Sequence, residues 1–93
     1  MSAEALASKY ISSAEKVLNS MNKIQGPLTV NSDGIQTLVE YAQAYLEDAK
    51  YYKDQKRFET SLTSVAYCEG LLEALRLLGA VKFEWPTNQR EQE

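Results

Sequence analysis

The chain has 93 residues, 44% apolar and 25% charged, with a net charge of −3. That suits one domain with a single modest core, and it argues against electrostatic binding of nucleic acid by the whole surface. With no histidine and one cysteine, Cys68, an internal disulfide, a zinc site, a Ser-His-Asp triad and a Cys-His dyad are all excluded.

The first helix is expected over about residues 3–24. Leu6, Tyr10, Ala14, Val17, Met21 and Ile24 recur at spacings of three and four, with Leu18 beside them. Glu4, Lys9, Glu15, Lys16 and Asn19 fall elsewhere, so the apolar stripe is one-sided. Gly26-Pro27 stops the pattern, because glycine takes a left-handed cap and proline cannot continue a helix. No apolar run approaches the ~18 residues of a membrane span. The opening MSAEALASKY has no basic region followed by an apolar one, so no signal peptide is visible and a cytoplasmic chain is expected.

A second helix is expected over about residues 34–53, with Ile35, Leu38, Val39, Ala42, Tyr45, Leu46, Ala49 and Tyr52 on its stripe. Two N-termini compete for it. Asp33 with Gln36 would form a capping box; alternatively Asn31 caps and Val30 staples onto Ile35.

The third helix is expected over about residues 57–79. The break at KDQKR contains neither glycine nor proline, but helical phase requires one. At 100° per residue, the stripe of the second helix and that of the third (Phe58, Leu62, Val65, Cys68, Leu72, Leu75) differ by about 120° if joined without a turn. A turn aligns them as an antiparallel hairpin. Beyond it, Val81, Phe83 and Trp85 alternate with Lys82 and Glu84 up to Pro86, and residues 87–93 form a polar, disordered tail. The fold class is therefore all-α: a small antiparallel up-down three-helix bundle over residues 1–86 with a short extended C-terminal tail.

Gly70 sits inside the third helix, where glycine costs roughly 0.5–1 kcal/mol relative to alanine. It shares a face with Ala66 and Ala74, away from the large-residue stripe. The expected role of the three is close packing: the third helix is central, and its small face lets another backbone approach, with Ala42 and Ala49 on offer across the contact.

The carboxylates give few chemical candidates. Glu69 and Glu73 share a face and, with Asp48, are the available ligands for a divalent metal or small molecule. A di-metal helical bundle wants Glu-x-x-His, and histidine is absent. A solvated edge with Arg76 paired to Glu73 accounts for them more simply, and no metal, cofactor or catalytic residue is expected. Lys53, Lys56 and Arg57 are too few to indicate phosphate binding in an acidic chain. Six tyrosines pack their rings and keep their hydroxyls wet. Tyr41, Tyr51 and Tyr67, off the main stripes, are candidates for a recognition surface. Val81, Phe83 and Trp85 either fold back over an open end of the bundle or pair with another chain.

From Tyr45 to Phe83 the chain resembles an uncharacterised archaeal family, domain of unknown function 357. The resemblance is carried by YLEDAKYY and VAYCEGLLEALRLLGAV, at Asp48, Ala49, Tyr52, Phe58, Leu62, Ala66, Tyr67, Gly70, Leu72, Ala74, Leu75 and Gly79. Two positions depart from the pattern: Lys56 stands where a turn glycine is expected, and Ser61 where an alanine is. The resemblance implies a small helical bundle of archaeal, cytoplasmic origin and no catalytic residues. The rhythm of small and aromatic residues also resembles helical-hairpin adaptors, a pattern common to any two helices that pack through small residues. The expected function is a non-enzymatic protein-interaction or accessory module, as a homodimer or with a different protein.

Overall fold

The computed structural model describes residues 2–86; the polar tail expected at 87–93 lies outside them. Three helices follow in the expected order: α1 (Ala3–Ser20), α2 (Ser32–Asp54) and α3 (Phe58–Leu77). There is no strand among the described residues, and the chain is all-α.

Each boundary has a local cause. Ser2 caps α1, its Oγ accepting from the Ala5 N–H at 3.1 Å. The helix ends at Ser20, four residues before the stripe does. Ser20 Oγ donates to the Lys16 carbonyl at 2.8 Å, a side-chain bond that competes with helix continuation. Met21 then leaves in an extended conformation, ψ 149°. For α2 the cap is Asn31, not Asp33: Asn31 Oδ1 accepts from the Gly34 N–H at 2.7 Å.

The α2–α3 turn is built as a Schellman motif around a residue that resists it. The Arg57 N–H donates to the Tyr52 carbonyl and the Lys56 N–H to the Lys53 carbonyl, the pairing of that motif. Its left-handed position falls on Lys56, with φ 61°. A second such motif closes α3, where Ala80 N–H reaches the Leu75 carbonyl and Gly79 takes φ 77°. Glycine occupies that conformation without strain; lysine does not.

Between the helices the core is thin. Ala42 and Ala49 from α2 meet Cys68 and Leu75 from α3, and these four are the buried apolar residues among those described. Small residues on α2 set a close approach, and Ser61 exploits it: its Oγ donates to the Ala49 carbonyl at 2.7 Å. An alanine in that place would make no such bond. Tyr45 stacks on Tyr67 with ring centroids 4.3 Å apart. The pairings of Ala49 with Ser61 and Tyr45 with Tyr67 fix the antiparallel register.

Two expectations about packing are corrected here. α3 is not a central helix: α2 and α3 pack on each other, and α1 packs on neither. No residue of α1 is buried. Consequently the small face of α3 is open within this chain. Ala66, Gly70 and Ala74 are exposed, and a Cβ placed on Gly70 would meet nothing within 4 Å. The stripe expected on α3 is also split: Cys68 and Leu75 are buried, whereas Phe58 and Leu62 are exposed and fall with the small face, which nothing inside this chain covers.

Candidate functional site

The residues singled out from the sequence fall into four places. The first is the returning tail. Past the Gly79 turn, Val81, Phe83 and Trp85 are half-buried while Lys82 and Glu84 are exposed, so the alternation is real although no strand forms. Phe83 and Trp85 meet edge to face at 4.9 Å. Trp85 Nε1 donates to Glu73 Oε1 at 3.0 Å, and Arg76 grips the same carboxylate through Nε at 2.7 Å and Nη2 at 2.9 Å. The tail is thus fastened to its own helix.

The second is the set of carboxylates. Glu73 is engaged as a clamp between Arg76 and Trp85, and that bidentate bond holds the Arg76 guanidinium above its ordinary value. Among the described residues no three histidine, cysteine, aspartate or glutamate side chains gather so as to hold a metal ion. Asp48 is exposed, and Glu69, Glu73 and Asp48 do not gather into one such cluster. Cys68 is buried and unpaired. Burial, and then the Glu69 carboxylate, pushes its thiol up from the ordinary value, which keeps it protonated and unreactive at neutral pH.

The third is the tyrosines. Tyr41, Tyr51 and Tyr67 are each more than half exposed, but they do not make one patch of unengaged rings. Tyr67 is stacked on Tyr45, and Tyr51 lies edge-on to Tyr52 at 5.3 Å. Tyr52 in turn carries the Arg57 guanidinium 4.9 Å above its ring, so Arg57 is occupied within the turn.

The fourth place was not singled out as a site: the stripe of α1. Tyr10, Ile11, Val17 and Leu18 are between 58% and 64% exposed, although they lie together on one side of the helix at 100° per residue. The available signal was the stripe itself, which reads as core as long as a neighbour is assumed. Facing outward on α3 is a second uncovered row, Phe58, Leu62, Ala66, Gly70 and Ala74, spaced by fours. The exposure of Leu62 reaches 66%.

No helix is long and apolar enough to cross a membrane among the described residues. No curated protein and no solved structure matches the chain. A family model does match, over residues 9–81, covering most of α1, the hairpin and the Gly79 turn. The chain therefore belongs to the family described as protein of unknown function DUF357.

Proposed function

We propose that the protein is a non-enzymatic module of the cytoplasm that works by protein–protein contact, with the uncovered stripe of α1 as its principal contact surface. The archaeal setting implied by the resemblance of its sequence is part of this proposal. The observation that carries it is the state of α1. An isolated helix of 18 residues that is not alanine-rich is marginal in water, and most helical stability in proteins comes from packing of an amphipathic face. α1 has such a face and no neighbour on it. Exposed apolar stripes of this kind mark interaction surfaces, and an amphipathic helix laid into a groove is a recurrent way to use them.

The test compares the full chain with Leu18→Glu. Sedimentation velocity and affinity capture from the source organism's lysate should show association, with itself or with another protein, that Leu18→Glu removes. A strictly monomeric protein that captures nothing above background, with or without the substitution, contradicts the reading.

A further inference from the structure

We propose that two copies of this chain exchange their first helices: α1 of each copy lies on the open face of α3 of the other, along Phe58, Leu62, Ala66, Gly70 and Ala74. This rests on the reading of α1 as a contact surface and names its partner.

The receiving face comes first. α3 carries apolar residues on more than one side, a pattern of helices with more than one neighbour. Cys68 and Leu75 face α2. At 100° per residue the Leu62–Ala66–Gly70 row lies on the far side, in a sector it shares with Glu59, Glu69 and Glu73, the last held by Arg76 and Trp85. Rows at i+4 spacing are the ridges and grooves by which helices interlock. Here the row is bulky at Phe58 and Leu62 and small at Ala66, Gly70 and Ala74, a taper that admits another backbone closely. Gly70 weakens its own helix and relieves no clash inside the chain. It is accounted for when a second backbone comes against it.

The incoming helix matches in length and charge. α1 has 18 residues and α3 has 20. Through residue 24 the α1 segment carries Lys9, Lys16 and Lys23 against Glu4 and Glu15, an excess of positive charge. The hairpin over residues 32–77 is acidic overall, with eight acidic and five basic side chains, Glu47 paired with Lys50 and Glu73 with Arg76. The signs are complementary, as association requires.

Surface area points the same way. The chain exposes 8233 Å², whereas a compact monomer of its mass would expose about 5,400 Å². The excess is several times the ~800 Å² per partner of a stable interface. Its radius of gyration, 16.0 Å, likewise exceeds the ~12 Å of a compact chain of this length.

A second copy is favoured over the same copy by topology. Because the hairpin is antiparallel, α2 begins beside the end of α3. To reach the far side of its own α3, the linker at residues 21–31 would have to round the end occupied by the Gly79 turn and the returning tail. The structure instead holds α1 away from its own hairpin, the arrangement of an exchanged arm. Reciprocal exchange is isologous: it covers both faces of both copies and leaves none to propagate.

The experiment mixes isotope-labelled and unlabelled full-length protein and reads NOEs that cross between chains. Contacts from the Val17 and Leu18 methyls to those of Leu62 and Ala66 are expected between chains. Gly70→Leu should weaken the dimer about tenfold or more while the melting of the hairpin does not fall, since the site is open within one chain and leucine favours helix over glycine. If the same contacts arise only within one chain, both the exchange and the contact reading of α1 fall. If the protein is monomeric with α1 unprotected, the exchange falls while a contact with a different protein stands.

Discussion

Trp85 and Glu73, twelve residues apart, are joined by an indole N–H donated to a carboxylate oxygen at 3.0 Å. Arg76 holds the same carboxylate in bidentate fashion, so one short network ties the returning tail to the last turns of α3. Charge-assisted bonds of this kind are stronger than neutral ones. Trp85→Ala should cost about 1–2 kcal/mol from the lost half-buried ring and its bond, measured by urea unfolding. It should leave the oligomeric state unchanged, because the tail serves its own helix. A variant that turns monomeric without losing stability would assign the tail to an interface instead.

Lys56 sits in the left-handed position of the α2–α3 turn at φ 61°. A non-glycine residue there costs roughly 1–2 kcal/mol, partly offset by the greater freedom of glycine in the unfolded chain. Lys56→Gly should therefore stabilise the protein by about 1 kcal/mol, seen as a higher urea midpoint at unchanged slope. A lower midpoint would mean that the lysine side chain contributes more than its backbone loses.

The start of α2 offers a clean pair of substitutions. Asn31 Oδ1 accepts from the Gly34 N–H, so Asn31→Ala should cost about 1 kcal/mol. Asp33→Ala removes only an acidic residue of the first turn, worth a few tenths. Equal losses would contradict Asn31 as the cap.

Alkaline pH tests the environment of Cys68. Burial and Glu69 raise its folded pKa above 9.0. A raised pKa makes a contribution that is full below the unfolded value and is lost as pH rises through the folded one. Stability should fall above about pH 9, and Cys68→Ala, although destabilised by its cavity, should show a shallower alkaline slope. Identical slopes would place the thiol in an ordinary environment. At neutral pH its reaction with a thiol reagent should proceed no faster than the hairpin opens.

Much of this architecture was legible because local rules decide it. The phase mismatch located the α2–α3 turn in a stretch without glycine or proline, and Lys56 was recognisable there as the residue out of place. The stripe positions Ala42, Ala49, Cys68 and Leu75 are the buried ones. The partners of the apolar faces were not legible. Periodicity identifies which side of a helix avoids water, but it is silent on what covers that side. Gly70 was read as packed closely against another helix of the chain, and inside the chain it has no such neighbour. The tail shows the same limit: alternation at Val81, Phe83 and Trp85 fits a strand or a wrap, and a carboxylate twelve residues back fixes the wrap.

The central claim, that the stripe of α1 is covered by a second copy of this chain, is tested most directly by amide hydrogen exchange on the full-length protein at two concentrations far apart, one on each side of the dimer's dissociation constant. The account predicts that α1 amides between Ile11 and Leu18 are protected at high concentration and lose that protection on dilution, while the α2–α3 hairpin keeps its own. Protection of α1 that is the same at both concentrations would show that the stripe is covered from within one chain and would contradict the claim.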